Sequence, residues 1–188
     1  MKKDIILSGV GGQGILSVAS IIGLAAIESG LFVKQAEVHG MSQRGGAVQS
    51  HLRISSDEVA SDLIPLGEAD VILSVEPLES LRYLPYLSSD GWIITNTAPF
   101  INISDYPDMN KLLTKIRSYK NVIAINADEI AKRISSPKAS NVVILGAASL
   151  YLGIPYENLE NGIRKLFSKK GDELINMNLT ALKAGTGS

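Results

Sequence analysis

The chain has no cysteine among its 188 residues. That excludes disulfides, a cysteine nucleophile and a thiolate-ligated iron–sulfur cluster on this polypeptide. Histidine is nearly as scarce. His39 and His51 are the only two, they form no H-x-x-x-H pair, and no metal site is expected. There is no excess of positive charge either: the net charge is −1, so nothing in bulk offsets a phosphate backbone and no nucleic-acid partner is expected. Long apolar runs are missing too. The opening "MKKDIILSGVGG" is a short apolar stretch broken by glycines, unlike a signal peptide or a membrane span. The expectation is a cytoplasmic chain that does not engage a membrane.

What remains is a composition of 45% hydrophobic and 20% charged residues, that of a globular protein. The length suits one domain over residues 1–188 with a sizeable core. "DIILSGV", "LFVKQAEV", "DVILSV", "GWIITNT" and "NVIAIN" read as strands, the last three as continuous apolar runs of the kind buried on both faces. "AVQSHLRIS" alternates, with Val48, Leu52 and Ile54 on one face and Gln49, His51 and Arg53 on the other. It predicts a half-buried strand near an edge, whose polar face either meets a partner or lies open. "ILSVASIIGLAAIESG", "PLESLRYLPYL" and "DMNKLLTKIRSY" read as helices, and the last third as helical throughout. Gly30 ends the first helix, and Pro107, Pro137 and Pro155 sit near helix starts. Alternating strands and helices predict an α/β fold: a single Rossmann-like domain with a mainly parallel sheet flanked by helices, and a helical C-terminal third.

Two segments stand out. In "SGVGGQGILS", Gly9, Gly11 and Gly14 have the G-x-G-x-x-G spacing of a dinucleotide-binding turn between a strand and a helix, where free N–H groups attract an anion. Glu37 follows 23 residues after Gly14, near the end of the second strand, where a ribose-binding acid could sit. The plainer alternative is a tight turn that lets another surface approach the backbone. The second segment, "EVHGMSQRGGAVQSHLRIS", is polar and glycine-rich between two strands. It packs Glu37, His39, Ser42, Gln43 and Arg44 against Gly45 and Gly46, a density of hydrogen-bonding groups that a plain connector does not need. In a parallel sheet both segments leave the carboxyl edge, where such folds bind ligands. No acid/base pair or activated nucleophile is evident.

"GVGGQGILS" together with "AEVHGMSQRGGAVQSHLR" resembles the gamma-type domain of the 2-oxoacid:ferredoxin oxidoreductases. Among these it is similar to the separate small (beta) subunits of the indolepyruvate branch. "EADVILSVEPLESLRYLPYL", "GWIITNT" and "NVVILGAASLYLG" extend the likeness over most of the chain. The resemblance implies a subunit of an enzyme that joins a 2-oxoacid to coenzyme A, releases carbon dioxide and reduces ferredoxin. It further implies that thiamine diphosphate and iron–sulfur clusters reside on a large catalytic partner subunit, and that this chain binds no cofactor and is inactive alone. Neither a cluster-ligand set nor a thiamine-diphosphate motif is recognisable here.

The residues that the resemblance brings forward as contacts for substrate, coenzyme A or the partner are Gly11, Gly12, Gln13 and Gly14 of the turn, and Glu37, His39, Gly40, Met41, Ser42, Gln43, Arg44, Gly45 and Gly46 of the second segment. Glu76 and Asn96, at strand ends, complete the set. Each has a plainer reading. Gln13 either bonds a partner or caps the following helix. His39 either lines the catalytic cavity of the complex or bonds a local carbonyl. Arg44 either pairs with an anion or a partner carboxylate, or is solvated. Glu76 either rims the glycine turn or caps a helix, and Asn96 is either a rim residue or a turn former. Two other functions stay open: a subunit acting on pyruvate, 2-oxoglutarate or a branched-chain oxoacid, and an independent NAD- or FAD-binding enzyme.

Overall fold

The computed structural model describes residues 1–39, 45–101 and 103–187. The strands are β1 (Lys2–Val10), β2 (Phe32–His39), β3 (Ala47–Ser55), β4 (Ala69–Ser74), β5 (Leu87–Asn96) and β6 (Val122–Ile125). The helices are α1 (Ile15–Glu28), α2 (Pro77–Arg82), α3 (Met109–Arg117), α4 (Ala127–Arg133), α5 (Ser140–Ala148), α6 (Tyr156–Phe167) and α7 (Asp172–Thr186). None of the described helices is long and apolar enough to cross a membrane.

The strands form one sheet in the order β2-β3-β1-β4-β5-β6. β1, β4, β5 and β6 pair in parallel, whereas β3 is antiparallel to both β1 and β2. The fold class agrees with the sequence expectation, with one difference. β2 and β3 join as a hairpin, and β3 inserts between β2 and β1. β2 therefore still runs in the direction of β1, and its end lies on the same carboxyl edge, but one strand further out.

One sheet face is covered by α1, α5, α6 and α7. Their apolar residues, such as Ile21, Ile22, Val143, Leu145, Leu159, Ile163 and Leu182, close on Ile5, Leu7, Leu52, Ile54 and Leu73. α1 is apolar nearly all round because α6 packs over its outer side. The opposite face carries a smaller cluster of Ile6, Ile64, Ala69, Ile72 and Tyr83 under α2 and residues 56–68.

β3 corrects the expectation of a half-exposed strand. His51 and Arg53 on its polar face are buried, at 2% and 7% exposure, and Gln49 is partly covered. Residues 56–68 fold back across this face because its side chains capture their backbone. Arg53 Nη1 donates to the carbonyls of Ser61 and Leu63 at 3.1 and 2.9 Å. Its Nε and Nη2 reach both oxygens of Asp4 at 2.8 and 3.0 Å. Two buried charges survive here because each is paired and further hydrogen-bonded.

His51 beside them is neutral. Burial, and secondarily the Arg53 charge, lower its pKa. Its Nδ1 accepts from the Ile64 N–H at 3.0 Å, so the ring proton sits on Nε2. The Gln49 side-chain amide lies against it, its Nε2 2.8 Å from His51 Nε2, and with the amide turned over its oxygen accepts that proton.

Candidate functional site

The carboxyl edge begins where β1 ends. Gln13 closes the glycine turn by two hydrogen bonds to one residue: its N–H donates to the Val10 carbonyl at 3.1 Å, and its side-chain oxygen accepts from the Val10 N–H at 2.8 Å. The side-chain bond therefore caps the strand that precedes the turn. Gly14 then starts α1 at φ 76° and ψ 27°, without a side-chain cap, a left-handed conformation that a side chain adopts at a cost. Space requires glycine there as well. A Cβ on Gly14 would stand 2.5 Å from Asn141 Nδ2, and that same atom donates to the Gly14 carbonyl at 3.0 Å. At Gly9 a Cβ would meet Val75 Cγ2 at 2.5 Å and Ile15 Cδ1 at 2.7 Å. The turn is thus clamped by β1, by the end of β4 and by the start of α5.

The two sequence segments meet at Gly11. Its N–H donates to the Gly46 carbonyl at 2.9 Å, and its carbonyl accepts from the Gly45 N–H at 3.4 Å. Gly12, next to it, is exposed. Gly40, Met41, Ser42, Gln43 and Arg44 lie outside the described residues, and His39 is placed as the last residue of β2, paired with Val48. Glu37 stands apart. It is exposed, it accepts from Gln35 Nε2 at 2.9 Å, and β3 separates its strand from β1. Two strand spacings, roughly 10 Å, lie between that strand and the turn. A ribose-binding acid of the dinucleotide type sits on the strand adjacent to the turn; here β3 occupies that place, and the expectation for Glu37 is corrected accordingly.

On the other side of β1, Glu76 and Asn96 end the neighbouring strands. Glu76 is 1% exposed. One carboxylate oxygen accepts from the Glu79 N–H at 2.9 Å and caps α2. The other accepts from the Phe100 N–H at 3.4 Å and from the Tyr106 hydroxyl through a short bond. Burial first, then this bond, push the Tyr106 pKa upward. Asn96 uses its whole amide. Its oxygen accepts from the N–H groups of Ala98 and Ala127 at 3.2 and 3.0 Å, and its nitrogen donates to the Val75 carbonyl and to Asp128 at 3.4 and 3.3 Å. Both side chains bind the ends of β4, β5 and α4 to one another and point into the molecule.

Sequence reading missed Asn141 and Tyr106. Asn141 lies 127 residues from Gly14, and nothing in "KASNVV" or "SDYPD" marks either residue as a clamp. It also missed Ser8, whose fully buried hydroxyl finds no partner among the described residues. Among those residues no group of three or more His, Asp or Glu could hold a metal ion. The absence of cysteine rules out cluster ligands on this chain. Among the described residues the edge offers shaped backbone and enclosed polar links, and no acid, base and nucleophile converge on it.

Such a scaffold is an α/β module whose glycine turn and strand ends form one edge of the sheet. A family model described as pyruvate ferredoxin/flavodoxin oxidoreductase matches residues 4–188. The chain is 40% identical over 194 residues to the indolepyruvate oxidoreductase subunit IorB of Archaeoglobus fulgidus, spanning 98% of this chain and 94% of that protein. It is 38% identical over 195 residues to the subunit of the same name in Methanothermobacter thermautotrophicus, spanning 100% and 98%. Among solved structures, a 2-oxoglutarate:ferredoxin oxidoreductase from Magnetococcus marinus superposes with a TM-score of 0.78 at 24% identity. That match covers 99% of this chain but 30% of the other, so the same fold there is one module of a longer polypeptide. The chain belongs to the pyruvate ferredoxin/flavodoxin oxidoreductase family, as a gamma-type member.

Proposed function

We propose that this chain, a single gamma-type domain over residues 1–188, is the small, cofactor-free subunit of a cytoplasmic indolepyruvate-type 2-oxoacid:ferredoxin oxidoreductase. The complex would convert an arylpyruvate and coenzyme A to the acyl-CoA and carbon dioxide and pass the electrons to ferredoxin. The observation that carries the reading is the pair of hydrogen bonds between Gly11 and Gly45–Gly46. They join the two signature segments into one surface at the carboxyl edge, in a chain matched along its length by indolepyruvate oxidoreductase subunits.

Thiamine diphosphate would supply the carbon–carbon cleavage and iron–sulfur clusters the electron relay. This chain has no cysteine for the clusters, so the clusters are assigned to the large subunit, and the family resemblance assigns thiamine diphosphate there with them. The turn and the segment Glu37–Gly46 then act as a wall of the assembled active-site entrance. His39, Ser42, Gln43 and Arg44 supply polar side chains that the partner, the oxoacid or coenzyme A completes. Glu76 and Asn96 brace the neighbouring ends of β4, β5 and α4 from inside.

The test is reconstitution with the large subunit, thiamine diphosphate, coenzyme A and a ferredoxin or dye acceptor, with kcat/KM compared for indolepyruvate, phenylpyruvate, pyruvate, 2-oxoglutarate and a branched-chain oxoacid. The aryl acids are expected to lead. A lead by pyruvate or 2-oxoglutarate transfers the assignment to another branch of the family. In the same assay Arg44→Ala is expected to raise the apparent KM for coenzyme A or the oxoacid, and a reconstituted variant with unchanged kinetics removes Arg44 from the entrance.

A further inference from the structure

Residues 97–101 leave the carboxyl end of β5, and residues 103–107 lead into α3. They include three exposed apolar side chains: Phe100 at 43%, Ile101 at 70% and Ile103 at 42% exposure. They are tied down on both sides of these. The Thr97 N–H donates to the Ile125 carbonyl at 2.8 Å, and the Ala98 N–H to Asn96. The Phe100 N–H and the Tyr106 hydroxyl both end on Glu76. Asp108 then caps α3. Asp105 is the only charged residue between Asn96 and Asp108. Residues tied at Phe100 and Tyr106 to a buried carboxylate that nevertheless turn three apolar side chains to water have the character of an interface centre, apolar and low in charge.

We propose that this strap is the apolar anchor through which the chain seats on the large subunit of its complex; the inference rests on the small-subunit reading above. The strap alone is too small for a stable interface with any partner. A stable interface buries about 800 Å² on each partner, more than three half-exposed side chains supply. The strap needs a wider continuous surface, and it shares the carboxyl edge with the glycine turn, Gly45–Gly46 and the exposed Leu16 and Val38. The long Magnetococcus marinus chain holds the same fold as 30% of one polypeptide, where covalent continuity keeps the module in place. A separate chain must replace that continuity with contact, and the strap offers an apolar centre for it.

The experiment titrates the full chain against the large subunit and reads the dissociation constant, with thermal melting and native mass of each chain alone as companions. Wild type is expected to form the complex. Phe100→Ser and Ile101→Asp are each expected to weaken it by roughly 30-fold or more, as buried interface anchors do, with the melting temperature of the lone chain held. Leu150→Asp, which alters an 87% exposed side chain after α5, is expected to bind as wild type does. Wild-type affinity in both strap variants, or equal weakening by Leu150→Asp, overturns the anchor and leaves the small-subunit reading standing. A wild-type chain that never binds the large subunit overturns both. A wild-type chain that is dimeric alone and becomes monomeric with Ile101→Asp assigns the strap to a second copy and overturns the stated occupant.

Discussion

Glu76 carries three hydrogen bonds on one buried carboxylate, from Glu79, Phe100 and Tyr106. Its position at a strand end was legible in the sequence, and so was the option that it caps a helix. The partners at 100 and 106 were not, because no local pattern encodes a contact across 24 or 30 residues. Glu76→Ala strips a cap and removes an acceptor from two N–H groups and the partly buried Tyr106 hydroxyl, and should destabilise the lone chain by about 1–3 kcal/mol in urea unfolding. A variant of unchanged stability would mean that these bonds hold nothing. His51 yields a prediction about pH. Burial and Arg53 lower its folded pKa below the ordinary 6.5. The unfolded chain therefore binds the extra proton first, and stability should fall as pH drops through about 6.5 towards the folded value. Comparing wild type with His51→Gln by urea unfolding between about pH 7.5 and about pH 5.5 isolates this part of the slope. Identical slopes would contradict the buried neutral ring.

At the scale of elements, helix ends were readable because glycine and proline punctuate them. Gly30, at φ 73°, follows α1, and Pro155 precedes α6. Strand order was not readable. The insertion of β3 between β1 and β2 is a long-range pairing, and it removed Glu37 from the place that spacing alone suggested. The burial of His51 and Arg53 on β3 was equally hidden, since their cover comes from residues 56–68 and from Asp4. The crossing of α5 and α7 was also silent. A Cβ on Gly146 would lie 2.1 Å from the Leu182 carbonyl oxygen, and one on Gly185 2.0 Å from that of Val143. Backbone cannot yield as a side-chain tip does, so Gly146→Val should separate the helices and cost about 3 kcal/mol or more, with Gly146→Ala at about 1–3 kcal/mol. Thermal melting checks the order; a Gly146→Val chain as stable as wild type would show that the two helices do not pack this closely.

The whole molecule divides its surfaces by role. One sheet face is a helix-covered core, the other is covered by α2 and residues 56–68, and the carboxyl edge gathers the glycine turn, Gly45–Gly46 and the apolar strap. The sequence located most of that edge through two motifs, while its internal clamps became visible only in three dimensions. If the edge presents shape to a partner and the chemistry belongs to the large subunit, activity must depend on the amount of this chain while the chain has none of its own. The most direct measurement titrates this chain into a fixed quantity of the cofactor-loaded large subunit and follows aryl 2-oxoacid oxidation with coenzyme A and ferredoxin. The account predicts no turnover by this chain at any concentration and a rise to saturation once the two subunits are matched. Turnover by this chain alone, or a large subunit fully active without it, would contradict the account.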